Sequence, residues 1–370
     1  MLNLILGWKK KVAVKYECVY FRVDIGDHIG LGHLSRCKSL ASAFLKNGIQ
    51  AIFLTRKHFR FSVEFFLPFK VVVIGGGIQS DLLPVNSLQW LGVSEEIDAQ
   101  ETIQYLSKNS ILIVDHYSIT SKWHSFVQPF VLKIIAIDDL INRELSVDFV
   151  IDHNPTGIEA KYRSININSR GIYLIGPQYA MLSPPLIDAR RTYQLTQEAN
   201  GKALIYLGSI PMALVDKMLG FVLNNAGEMR LKEVTVIGAS EKICINLPRT
   251  NVKINLMKGH QDLIGLYAKH EYVFGSCGVA QLERMFLGIK SITTVVVDNQ
   301  NDFGKILMMN KYSIHLGDLR EGSFYQTAAN NLKKLSADEP NWSPKIIAGK
   351  EMIASDGCDQ IIKIIDENMG

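Results

Sequence analysis

Residues 19–48 run VYFRVDIGDHIGLGHLSRCKSLASAFLKNG, and their reading decides the fold. Val19-Tyr20-Phe21-Arg22-Val23 is short and rich in β-branched and aromatic residues, as a strand requires. Leu34, Cys37, Leu40, Ala41, Phe44 and Leu45 then recur at three-to-four spacing, which gives a helix one apolar face. Asn47-Gly48 supplies that helix's C-cap. Between strand and helix lies a loop, Ile25–Gly32, with Gly26, Gly30 and Gly32. Glycines there let the backbone approach a ligand, and the helix N-terminus offers free N–H groups. This is a place for a phosphate. It is not the dinucleotide fingerprint, because Arg36 stands where the third glycine would be.

The same alternation continues outward. Strands are expected at 52–54, 71–74, 111–114, 134–137 and 149–151, each an almost continuous apolar run. Strands buried on both faces of a parallel sheet look like this. Pro184-Pro185 breaks the pattern, and Asp188–Lys202 is polar and charged, as an interdomain connection would be. A second alternation follows. Its strands are expected at 203–207, 233–237, 252–254, 272–274 and 291–297, with helices at 212–224, 261–268, 279–287 and 359–366. The expected organisation is an extension at 1–19, one Rossmann-like domain at 20–187, a linker at 188–202 and a second Rossmann-like domain at 203–370. Two α/β domains then face each other across a cleft, with ligands at the carboxyl ends of the strands.

Composition narrows the function. The chain has 370 residues, 47% hydrophobic and 21% charged, which suits two packed cores. Its net charge of +4 suits an anionic small substrate and is too weak to indicate nucleic acid. The five cysteines are widely spaced without a CxxC pair, so reduced thiols in the cytoplasm are expected. MLNLILGWKKK at the start is too short to span a bilayer and places its lysines after the apolar stretch; stable membrane insertion is not expected. A monomer or weak dimer is expected.

Two constellations can carry chemistry. His33 opens the first helix, beside the phosphate place, where a histidine can act as general base. The blander alternative is a histidine that merely caps the helix. Arg36, one turn on, is either a phosphate contact or a solvated charge, and Asp24 closes the strand. The second constellation begins at the strand end Gly275-Ser276-Cys277-Gly278, followed by a helix from Val279. That turn can hold a diphosphate through Ser276 and Gly278. Glu283, one turn into the helix, either complements the dipole or accepts hydrogen bonds from ribose hydroxyls. Asn299 and Gln300 close a further strand and can bind without charge. Cys277 sits where thiol pKa values fall, but a small residue suffices for the turn. Asp115-His116-Tyr117 and Asp138-Asp139 also close strands at the cleft, with no clear third acid for a metal site.

FRVDIGDHIGLGHLSRCKSLA, Trp90-Leu91-Gly92-Val93, Asp115-His116-Tyr117, Ile137-Asp138-Asp139, Gly176-Pro177-Gln178-Tyr179-Ala180 and the stretch Ser276–Gln300 together resemble the pseudaminic-acid pathway hydrolases. The resemblance runs from about residue 20 to about residue 315. Those enzymes hydrolyse UDP-2,4-diacetamido-2,4,6-trideoxy-β-L-altropyranose, and the family is similar in fold to the lipid II synthase type of glycosyltransferase. The resemblance implies a metal-independent, cofactor-free hydrolase of a UDP-linked deoxy-amino sugar. It implies His33 as the essential histidine, Tyr117 near the sugar, Glu283 on the ribose, and Asn299 and Gln300 beside the substrate.

Relatives usually carry a GGSD-like turn after the first strand of the second domain. This chain has Leu207-Gly208-Ser209-Ile210-Pro211, which lacks one glycine and the acid. Gly208 and Ser209 still present N–H groups. Two other readings follow: a transferase of the same fold with a sugar acceptor in place of water, and a nucleotide-sugar binding protein without catalysis.

Overall fold

The computed structural model describes residues 15–369, apart from 27–28, 30, 59–61, 76–88, 193–199, 209, 239–249, 258–261 and 339–347. Gly30 and Ser209 therefore lie outside the described residues.

The first half builds a sheet of seven parallel strands: β1 (Cys18–Val23), β2 (Gln50–Thr55), β3 (Lys70–Val73), β4 (Ser110–Asp115), β5 (Lys133–Ile137), β6 (Phe149–Asp152) and β7 (Ile172–Ile175). Their spatial order is β3-β2-β1-β4-β5-β6-β7. β1 pairs with β2 on one side and β4 on the other, Val23 opposite Asp115. Both faces of β1 and β4 are buried, which is why those strands read as unbroken apolar runs. The connecting helices are α1 (Gly32–Lys46), α2 (Glu95–Ile103), α3 (Ser121–Val127) and α4 (Glu159–Ile165). α2 starts where the sequence chemistry tells it to: the Ser94 hydroxyl accepts from Ile97 N–H, and Glu95, Glu96 and Asp98 complement the dipole.

The segment read as a linker begins instead with a helix, α5 (Pro184–Thr192). Leu186 is the reason: it buries in the core of the second half, and Arg190 lies 4.4 Å over the Phe286 ring. The second half is a six-stranded parallel sheet of β8 (Lys202–Tyr206), β9 (Glu233–Ile237), β10 (Lys253–Met257), β11 (Tyr272–Ser276), β12 (Ser291–Val295) and β13 (Ile314–Asp318). Their order is β10-β9-β8-β11-β12-β13. Its helices are α6 (Met212–Asn224), α7 (Leu263–Lys269), α8 (Val279–Leu287), α9 (Asn301–Asn310) and α10 (Phe324–Asp338). α8 stops at Gly288, whose φ of 73° is left-handed, as a helix-ending glycine allows.

The sequence reading ran the second domain to residue 370. The last helix, α11 (Gly357–Glu367), corrects that. Cys358, Ile361, Ile362 and Ile365 bury beside Leu40, Phe44 and Val19 in the first core. Its apolar residues recur at helical spacing, and the exposed face they fit is the outside of α1.

In both sheets the strand order reverses between the first strand and the fourth. Those switch points lie between β1 and β4 and between β8 and β11. Ligands of open α/β sheets bind there, outside the carboxyl ends. Among the described residues, no helix is long and apolar enough to cross a membrane.

Candidate active site

His33 sits in the first turn of α1, beside the β1–β4 switch point. Its Nδ1 donates to Asp115 Oδ1 at 2.5 Å. Asp115 closes β4 and is almost fully buried. Burial alone would push its carboxyl up; Arg36 first and His33 second outweigh that and hold it well below the usual carboxylate range. A carboxylate can only accept, so the Nδ1 of His33 carries a proton. Nε2 makes no hydrogen bond to a described residue and is not sealed from solvent. It is the nitrogen left to take a proton.

Two aromatic rings wall the imidazole. Tyr117 meets it edge-on, centroids 4.6 Å apart, and Trp90 meets it at 6.1 Å. The Tyr117 hydroxyl donates to Asp139, and burial with the Asp139 charge pushes that phenol well up. Tyr117 was expected near the sugar; it is nearly buried, and what it touches is His33.

Two expected substrate contacts are corrected. Arg36 grips Asp115 with two bonds, Nε to Oδ2 at 2.6 Å and Nη2 to Oδ1 at 2.7 Å, and reaches Asp139 at 3.2 Å. Such a fork is consumed by its carboxylate and has no spare edge for a phosphate. Asp24 is 0% exposed. It accepts from Arg22, from the Arg56 N–H at 2.7 Å and from the Thr55 hydroxyl at 3.3 Å, and His58 Nε2 lies 3.1 Å away. Arg22 also donates to Asp98, which accepts from Arg56 and from Trp123 Nε1. Asp24 is thus part of a buried ionic network that fixes the end of β1, and the loop to α1 starts from it.

Further along the same sheet edge, Asp138 is paired with Arg143, whereas Asp139 accepts from Tyr117, Arg36 and Asn154. Asp152 ends β6 and accepts from Tyr162 at 3.0 Å. Burial, and then the Asp139 charge, push its carboxyl up to about 7. Among the described residues, no cluster of three His, Cys, Asp or Glu is arranged to hold a metal.

In the second half, Ser276, Gly278 and Gln300 come together. A Cβ built on Gly278 would lie 3.3 Å from Gln300 Nε2 and 3.7 Å from Ser276 Oγ. Gln300 is held by Val296 N–H, which donates to its Oε1 at 3.1 Å, so its Nε2 side is turned to the turn. Asn299 is exposed and makes no side-chain bond to a described residue. Gly278 caps α8 in an extended conformation, which leaves the first N–H groups of that helix free. Gly208, after β8, has φ +84° with open space around it, a backbone state that glycine adopts at no steric cost. Glu283 is half-buried and receives no hydrogen bond from a described residue. Burial pushes its carboxyl up to about 7. Cys277 is buried and its thiol is pushed up to about 12, so it is no nucleophile.

The two halves meet at their helix N-termini. A Cβ on Gly32, the first residue of α1, would lie 3.8 Å from Val279 Cγ2, the first residue of α8. The histidine–aspartate pair and the small-residue turn therefore share one cleft. Sequence reasoning placed Asp115 at that cleft but did not pair it with His33. The readable signal was an acid ending the strand next to β1 across the switch point.

No family model and no curated protein matches this chain. Solved structures match over almost its whole length. MurG of Acinetobacter baumannii superposes with a TM-score of 0.61 at 11% identity, covering 95% of this chain and 99% of its own. The spinosyn forosaminyltransferase SpnP gives 0.63 at 12% identity, covering 94% and 99%. Arabidopsis thaliana UGT89C1, complexed with UDP-L-rhamnose, gives 0.61 at 14%, covering 94% and 99%. The fold is that of the GT-B glycosyltransferases. The expected relation to two-domain glycosyltransferases holds at that level.

Proposed function

We propose that this chain is an enzyme acting on a UDP-sugar, which moves the sugar from UDP to an acceptor oxygen activated by His33. The observation that carries the reading is the meeting of the His33–Asp115 pair with the N-terminus of α8 across one cleft. UDP lies on the second half. The Ser276–Gly278 turn and the free N–H groups of α8 take the diphosphate, Glu283 takes the ribose hydroxyls, and Gln300 bonds a phosphate or sugar oxygen. The acceptor O–H gives its proton to His33 Nε2 while its oxygen forms a bond to the anomeric carbon. The bond from that carbon to the diphosphate breaks, and its electron pair leaves with UDP. Asp115 stabilises the charged imidazole, as a carboxylate behind a base does. Helix N–H groups stabilise the charge growing on the diphosphate.

Transfer to a hydroxyl acceptor is favoured because several solved structures of this fold are transferases by name. Water as the acceptor, giving hydrolysis, is the second reading. The GLGHLSRC stretch favours it, together with Asp138-Asp139 and the DNQ end of the substrate stretch. A UDP-linked 2,4-diacetamido-trideoxy sugar is the first donor to offer.

Purified protein, offered a panel of UDP-sugars with and without sugar acceptors, tests this by NMR detection of UDP. The expectation is UDP release from at least one UDP-linked amino sugar, with an acceptor-dependent rate for transfer or an acceptor-independent one for hydrolysis. No release from any donor, with no UDP binding, rejects the reading.

A further inference from the structure

Arg284 follows Glu283 in α8 and is 0% exposed. Its guanidinium lies flat against the backbone of Gly275, where an added Cβ would come within 2.4 Å of Cζ. Nη2 donates to the Ser276 carbonyl at 2.7 Å, and Nε donates to Gln281 Oε1 at 3.0 Å. Nη1 is buried with no partner. The Tyr267 hydroxyl, which feels the Arg284 charge, and Gln281 Nε2, whose amide oxygen Arg284 holds, likewise make no hydrogen bond of ordinary geometry. Among the described residues, no carboxylate forms an ion pair with Arg284. A buried cation without a counter-charge is costly, and proteins rarely keep one without a use. The acid beside it, Glu283, does not supply that charge in full, because its own carboxyl is pushed up to about 7.

Resting on the reading of α8 as the diphosphate site, we propose that Arg284 is a positioning residue whose buried charge is completed by the bound diphosphate. It pins the Gly275–Gly278 turn from beneath through Ser276 and Gly275, and adds positive potential to the helix N-terminus at close range. Its low-dielectric setting makes that potential felt without direct contact. A surface arginine in the same register would be screened.

Calorimetric titration of UDP and of uridine into wild type, Arg284→Gln and Arg284→Lys tests this. Gln keeps a donor for the Ser276 carbonyl and removes the charge; Lys keeps the charge. The expected result is a loss of about tenfold or more in UDP affinity for Arg284→Gln. Uridine affinity should change less than about twofold, and Lys should restore most of the UDP preference. Equal losses for UDP and uridine, or none, overturn the proposal. Should the Gln variant fail to fold, the Arg284 Nε–H resonance of wild type serves. It must shift on adding UDP and stay put on adding uridine, and an unmoved resonance overturns the proposal. Wild type that binds no UDP would instead reject the function proposed above.

Discussion

His33, Asp115 and Arg36 form one unit in which each residue fixes the next. Arg36 keeps Asp115 charged, Asp115 fixes the tautomer of His33, and Tyr117 and Trp90 fix its plane. Across the cleft, Glu283 is held in a different state. Burial raises its carboxyl to about 7, above the ordinary value, so it is partly protonated at neutral pH. Ribose hydroxyls donate more strongly to the charged carboxylate than to the neutral acid. UDP affinity should therefore rise as pH goes from 6 to 8 and level off above the raised value. Glu283→Gln should flatten that rise, after allowance for the phosphate's own titration. Calorimetry across that range checks it, and a pH profile unchanged by the substitution removes Glu283 from the ribose site. His33 and Glu283 could be singled out in the sequence because each sits near the start of a helix that follows a small-residue loop. Asp24 and Arg36 were misassigned for one physical reason. Sequence shows that a charge stands beside a loop, but not that another charge from a distant strand already occupies it. Arg284 went unread for the same reason, since nothing in the sequence shows that its side chain is buried under the Gly275–Ser276 backbone.

At the scale of elements, the strands of β1, β4, β8 and β11 were readable because burial on both faces leaves an unbroken apolar run. The helices 212–224 and 279–287 were readable to the residue. β7 and β13 were not read, although the other edge strands, β3 and β10, were; β13 breaks its apolar residues with His315, Gly317 and Asp318. Most of α5 was taken for a linker because its exposed face is charged, while Leu186 buries and Ile187 and Ala189 pack beside it. α11 shows a limit of another kind. Its amphipathic face was readable, but nothing in the chain says which core receives it. Ile361 is fully buried in the first core. Ile361→Ala should remove about 2–5 kcal/mol from that half. Hydrogen exchange should then speed in β1 and β2 while β8 and β11 keep their protection. Faster exchange in the second sheet instead would contradict the assignment of α11.

At the scale of the whole molecule, the two halves repeat one device. Each sheet reverses its strand order beside its first strand, and each presents a helix N-terminus at that point. One half presents His33 there and the other the small-residue turn Gly275–Gly278, and in the proposed function the first serves the acceptor and the second the donor. In the proposed function His33 serves the acceptor oxygen and not nucleotide binding. The direct test measures UDP release and UDP affinity together for wild type and His33→Ala. Turnover should fall about 10²–10⁴-fold while the Kd for UDP stays within about twofold. Turnover that survives the substitution, or an affinity for UDP that falls in step with it, would rule out His33 as the base.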